Sequence, residues 1–200
     1  MVADPGPTAT SPQGAVRLLE WAIGQRDLEA IEGLLTEDFE YRCVAVDSAG
    51  NVYRAVRNRG EVLAALRRVF LGAPGQPPAT SVTVRFARNL VPFPDPRMGY
   101  VDSLFKSIRT SVDVRVGVGP DSVLETTGSA VIYTTRGDTA AIPHELRARG
   151  FPPNKWWISH IEDETFVGHQ SRWSASAVRI LNPTDVRRLR RPSYWVCALR

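Results

Sequence analysis

The residues that most restrict what this chain can become are Ala15 to Phe70. They read helix, tight break, helix, short strand, connector, helix, and strand-like text alone follows until about Thr135. Helices that come first and are then faced by a run of strands pack as a layer on one face of a sheet. The order therefore points to an α+β domain, a curved sheet closed by helices into a cone with one pocket. It constrains the fold and leaves the chemistry open.

The local signals support that order. Val16, Leu19 and Ile23 recur at helical spacing, with Leu18 and Trp21 widening the stripe. Ser11-Pro12 reads as an N-cap followed by proline in the first helical turn, so the spacing predicts a helix from about Pro12 to Gln25, broken near Gly24. Asp27 caps a second helix predicted over Leu28 to Leu35. Phe39 to Val46 reads as a strand, Asp47 to Asn51 as a turn and Val52 to Val56 as a short returning strand. Gly60 opens a third helix that carries Val62, Leu63, Leu66, Val69 and Phe70; Gly72 to Pro78 ends it. Ser81 to Val91 reads as one strand. Lys106 to Val118 alternates most cleanly, with Ile108, Val112, Val114, Val116 and Val118 on one side and Arg109, Ser111, Asp113 and Arg115 on the other. A turn at Gly119-Pro120-Asp121 makes a hairpin with Ser122 to Thr135. Lys155 to Thr165 reads as the last strand.

Three segments are set apart by composition. Residues 1–13 are rich in Pro, Thr, Ser and Gly and are expected to be disordered. Residues 139–154 read as an inserted loop with a helical turn at His144 to Arg149, inside a domain spanning 14–167. Residues 168–200 form a basic extension: seven arginines against one aspartate give it a net +6, within a chain total of +4, so the rest is close to −2. Its run Arg187-Arg188-Leu189-Arg190-Arg191 lacks aromatic interleaving, and nucleic-acid binding is not expected of it. No apolar run approaches the roughly 18 residues of a membrane span. The N-terminus has no basic and apolar signal pattern, so the expected location is cytoplasmic, or exported if a signal has been removed ahead of it. Cys43 and Cys197 form no metal-binding spacing and read as two reduced thiols.

The phrase Gln25-Arg26-Asp27-Leu28-Glu29-Ala30-Ile31, then Leu34-Leu35-Thr36-Glu37-Asp38-Phe39, resembles the entrance of the nuclear transport factor 2-like superfamily, which includes SnoaL-like and ketosteroid isomerase-like proteins. Gly60-Glu61-Val62 is similar to that family's start of helix three. The resemblance covers about Ala15 to Phe166 and implies an NTF2-like cone, three N-terminal helices on a curved, mostly antiparallel sheet. It says little about chemistry, because this fold hosts many functions. Isomerase-like members carry a general-base Asp on the first strand and a Tyr on helix one; the matching places here fall near Cys43 and at Leu18-Leu19. Epoxide-hydrolase-like members carry Arg-x-Asp on a middle strand; here Asp113-Val114-Arg115 has the reverse order and faces away from the valine row. Dehydratase-like members need two His in the cone, and His160 alone is well placed.

The candidate site follows from strand parity. Val112, Val114 and Phe86 are expected to face the helices, as are Gly128, Ala130 and Ile132 on the next strand, where small side chains leave room for a cavity; a bulge at Gly128 is the competing reading. Trp21, Trp156 and Ile158 complete the expected apolar lining, with Tyr41 as a hydrogen-bond donor at the mouth. One of Trp156 and Trp157 faces in, and the outward one is expected to mark a homodimer interface through the sheet. His160 is expected to share a face with Trp156, Ile158 and Glu162. Three readings stand: a cone that binds a small, largely apolar molecule; a cofactor-independent lyase, isomerase or hydrolase using His160 with Glu162 or Tyr41; and a non-catalytic dimerisation or partner-binding domain. No metal or cofactor is expected.

Overall fold

A computed structural model describes residues 6–46, 52–98, 103–119, 122–136, 142–147, 150 and 154–163. The expected turn at Asp47 to Asn51, half of the inserted loop, the basic extension and Cys197 lie outside the described residues.

Helix α1 (Pro12–Gln25) opens as its sequence predicts. The Ser11 hydroxyl accepts from the Gly14 N–H and Pro12 sits in the first turn. Its left-handed C-cap is Arg26 (φ +58°) and not Gly24; the Arg26 and Asp27 amides close the helix onto Ile23 and Ala22. Asp27 then accepts from Ala30 N–H at 2.9 Å and starts α2 (Leu28–Glu32). This helix is shorter than the expected Leu28–Leu35. Gly33 ends it, and the Leu34 carbonyl accepts from Ile158 N–H, which draws the chain into the sheet. Strand β1 therefore begins at Leu35 and runs to Val46. After β2 (Val52–Asn58), Asn58 and Glu61 form a capping box for α3 (Arg59–Leu71). The Asn58 amide, donating to the Glu61 carboxylate, is the main reason that carboxyl titrates below its ordinary range.

The remaining strands are β3 (Ser81–Phe86), β4 (Pro92–Pro94), β5 (Phe105–Val118), β6 (Ser122–Arg136) and β7 (Trp156–Asp163), with a 3-10 turn at Pro96–Met98 and a short α4 (His144–Arg147) before β7. The expected single strand from Ser81 to Val91 stops at Phe86. Ala87 N–H donates to the Thr110 side chain instead of to a neighbouring backbone, and Pro92 and Pro94, which lack N–H groups, form the separate edge strand β4. The described strands form one sheet in the order β2-β1-β7-β6-β5-β3, with β4 pairing the same edge of β5. Pairing is antiparallel throughout except between β1 and β7. This is the expected α+β architecture: α1 packs across β3 and β7, α3 packs on β1 and β2, α2 lies between these helices, and a fourth helix comes late in the chain.

The core lies between the helices and one face of the sheet: Val16, Leu19 and Ile23 from α1, Leu66 and Phe70 from α3, and Ile108, Ile132 and Ile158 from the strands are buried there. The register of β5 on β6 runs unbroken past Val112↔Gly128, so Gly128 marks no bulge. A bulge falls instead on β7. Tyr133 pairs with His160 and Thr134 with Ile158, so Ser159 is an extra residue. An extra residue reverses the facing of everything beyond it.

Two expectations from composition are corrected. Within the segment expected to be disordered, Ala9 is buried and its carbonyl accepts from Trp156 N–H at 2.7 Å, while Thr8 and Thr10 beside it are exposed. Cys43 is buried and disulfide-bonded, where a reduced thiol was expected at that position. Among the described residues, no helix is long and apolar enough to cross a membrane.

Candidate functional site

The concave side of the sheet and the three helices leave a cavity. The volume open to the centre of a water molecule is about 70 Å³, room for several waters or a small organic group. Leu19 and Ile23 of α1, Ile31 of α2, and Val62 and Leu66 of α3 form its roof. Leu35, Phe39 and Tyr41 of β1, Phe86 of β3, Val112 and Val114 of β5, Thr126 to Ala130 of β6, and Ile161 and Asp163 of β7 form its floor and rim. The roof follows from the apolar stripe of α1, and the floor from strand alternation.

Two polar groups meet on this wall. The Tyr41 hydroxyl donates to Asp163 Oδ2 at 3.5 Å. Burial first, and then the charge of Asp163 and the hydrogen bond to it, hold the Tyr41 phenol well above its ordinary pKa. Tyr41 is therefore a neutral donor at any physiological pH. Asp163 carries the one formal charge among the described lining residues. Arg57, which pairs with Tyr41 in the β1–β2 ladder, is turned to Glu61 at 3.2 Å. The arrangement offers an apolar chamber with a hydrogen-bond donor and a carboxylate acceptor side by side.

Of the residues expected to bind a ligand, Tyr41, Phe86, Val112, Val114, Gly128 and Ala130 line the cavity. Ile132, Trp156 and Ile158 belong to the close-packed core instead. Trp21 faces the N-terminal segment: a Cβ on Gly6 would lie 2.9 Å from its ring.

The structure separates the expected catalytic residues. Beyond the Ser159 bulge, Ile161 and Asp163 face the cavity while His160 and Glu162 face the opposite, convex side. His160 thus shares a face with Trp157 and Glu162, not with Trp156 and Ile158. There its Nε2 lies 3.2 Å from Glu162 Oε1 and its Nδ1 3.7 Å from Glu40. Tyr133 packs edge-on to its ring and donates to Glu162 at 3.2 Å. Arg97 lies 3.4 Å over the Tyr133 ring and is paired to the buried Asp95. Burial, with the positive charge of Arg97 next, lowers the His160 pKa, against the pull of Glu162. His160 and Tyr41 do not form one site. The outward tryptophan, Trp157, is only 1% exposed and lies under Lys155, so it presents no open aromatic face to a partner. Among the described residues, no group of three or more His, Cys, Asp and Glu side chains is placed to hold a metal ion.

Sequence reasoning missed Asp163 because it sits in the run Glu162-Asp163-Glu164, which reads as a solvated strand end. Its parity with Ile161 becomes meaningful only once the Ser159 bulge is known. Leu19 and Ile23 were visible as a helix stripe, but not as a cavity roof.

No known family model matches the chain, and no curated protein matches it. Solved structures do. A putative aromatic ring hydroxylase from Novosphingobium aromaticivorans is 11% identical with a TM-score of 0.51, over 78% of this chain and 86% of that one. A putative scytalone dehydratase from the same organism is 14% identical with a TM-score of 0.48, over 80% and 86%. A nuclear transport factor 2-like superfamily protein from Salmonella enterica is 11% identical with a TM-score of 0.45, over 80% and 92%. At such identities the likeness concerns backbone shape and not chemistry. The likeness to the first of these is one of fold alone: the chain is α+β, with helices over the concave side of one long, mostly antiparallel sheet, the architecture that its nuclear transport factor 2-like resemblance implied.

Proposed function

We propose that the cone binds a small, largely apolar molecule, seated against the Tyr41–Asp163 pair. The observation that carries this reading is the contrast within one cavity: apolar side chains from eight elements, with the hydrogen-bonded Tyr41–Asp163 pair and the Thr126, Thr127 and Ser129 stretch of β6 as its polar groups. Pockets that bind small molecules have this character, apolar for affinity with a few polar groups for orientation. A cone filled by its own side chains would leave no such space.

The pair also defines where chemistry could occur. A reading that joins His160 to Tyr41 requires both in one chamber, and the sheet lies between them. If the cone moves protons, the groups positioned to do so are Tyr41 and Asp163.

Native mass spectrometry of the purified protein tests the binding reading. A bound small molecule that is lost on mild unfolding is the expected result. Val112→Phe, which fills the chamber from a partly buried wall position, should abolish that mass while circular dichroism stays unchanged. A bound mass that survives this substitution places the ligand elsewhere and overturns the proposal.

A further inference from the structure

We infer that Cys43 and Cys197 are joined as the one disulfide this chain can form, and that the bond seats the end of the basic extension against β1, beside the Tyr41 wall of the cavity. The inference stands on burial, register and the count of cysteines, and is independent of the binding reading.

The argument starts from Cys43, which is disulfide-bonded and only 3% exposed within the folded chain. The sequence holds two cysteines, so the chain itself supplies one partner, Cys197. The Cys43 of a second molecule would have to reach a sulfur that this chain's own atoms already enclose. A disulfide holds its two Cβ atoms about 4 Å apart, so the residue bonded to Cys43 lies against β1. In the unbroken β1–β2 ladder Cys43 is two residues beyond Tyr41 and shares its concave face. Tyr41 lines the cavity.

The path of the chain fits this pairing. Strand β7 runs parallel to β1 with Glu162 beside Arg42, and it ends at Asp163, one step past that pair as Cys43 is on β1. Residues 164–197 are enough chain to return to the same place. The neighbours of Cys197 suit burial: Tyr194, Trp195, Val196, Ala198 and Leu199 are apolar or aromatic, in an extension otherwise marked by arginine. Charge agrees, since the extension carries a net +6 and the rest of the chain is close to −2. Forming the bond takes one hydrogen from each thiol and joins the two Sγ atoms. The two electrons and two protons pass to the disulfide of a thiol–disulfide oxidoreductase or of oxidised glutathione, which becomes two thiols. Such a bond is formed and kept in an oxidising compartment. It closes most of the chain into one loop, which restricts the unfolded state and favours the folded one. The extension is then a part of the domain and not a free cationic arm.

Peptide mapping of the unaltered full chain tests the pairing. The protein is folded in the presence of oxidised glutathione, free thiols are blocked with iodoacetamide, and trypsin is added without reductant. The expected product is residues 43–54 linked to residues 191–200, a pair that separates on adding dithiothreitol. Alkylated Cys43 in that preparation, or residues 43–54 linked to a second copy of themselves in a covalent dimer, overturns the inference. The seating is tested by urea denaturation. Cys197→Ser should lower the midpoint of the oxidised protein to that of the reduced, unaltered protein, and dithiothreitol should lower the variant no further. An oxidised protein with the same midpoint as Cys197→Ser has an extension that is not seated on the domain, and that result overturns the inference.

Discussion

The two faces of the sheet are built from the same strands and solve opposite problems. On the concave face, apolar side chains surround a chamber and one polar pair, Tyr41 and Asp163, stands on its wall. On the convex face, His160, Glu162, Glu40, Arg42, Tyr133, Arg97 and Asp95 contact one another as ion pairs, hydrogen bonds and ring contacts. Glu162 and Asp163 are neighbours in the chain, and strand alternation sends one carboxylate to each face. The Glu162 carboxylate enters a network of opposite charges that satisfies it internally. The Asp163 carboxylate meets a neutral phenol beside open apolar space. Both positions carry a carboxylate, and the surroundings give one a structural role and the other a candidate binding role.

The largest effect that sharpens this contrast lies within the concave face itself. Ile132 is fully buried in close-packed core, whereas Val112 borders space that is already open. Ile132→Ala should cost about 2–4 kcal/mol in urea denaturation, and Val112→Ala less than about 1 kcal/mol, because a cavity penalty applies only where packing was complete. Equal losses at the two sites would mean that the chamber is packed in solution.

A smaller effect is expected on the convex face. His160→Gln removes a buried, hydrogen-bonded ring and should cost about 1–3 kcal/mol. It should also change the pH dependence. The folded state holds the His160 pKa below the unfolded value, chiefly by burial. The unfolded chain thus binds a proton more readily, so this contribution is complete above about pH 6.5 and is lost as the pH falls toward the folded pKa. Urea midpoints at pH 7.5 and 5.5 should fall further in the unaltered protein than in His160→Gln. Parallel losses would show that the network is solvated and that the two faces differ less than described.

The smallest effect belongs to the exposed margin. Arg115 pairs with Glu125 at 2.7 Å, but its side chain is 64% exposed. Arg115→Ala should shift stability by no more than about 0.5 kcal/mol. A loss near 2 kcal/mol would place this part of the convex face in an interface.

Much of the fold was legible because its signals are local. Ser11-Pro12, Asp27 and Asn58-x-x-Glu61 start helices by chemistry that operates within one turn, and Lys106 to Val118 alternates without interruption. The shortfalls came where a contact distant in sequence overrode local preference. Leu34 is helix-like in its own window, yet its carbonyl is claimed by Ile158. Phe86 to Val91 reads as a continuous strand, yet Thr110 takes the Ala87 amide. The N-terminal segment has the composition of a disordered tail, yet Ala9 is held by Trp156.

By itself the sequence determined the class of the fold, the helix starts, the β5–β6 hairpin and the apolar character of the concave wall, because periodicity and capping depend on near neighbours. Tertiary structure decided which polar residues share that wall. One extra residue at Ser159 moved His160 and Glu162 to the outside and Asp163 to the inside. Strand parity is a running count from one end, and a single bulge, stabilised by pairing with β6 and invisible in the residues WWISHIED, resets it for every residue that follows.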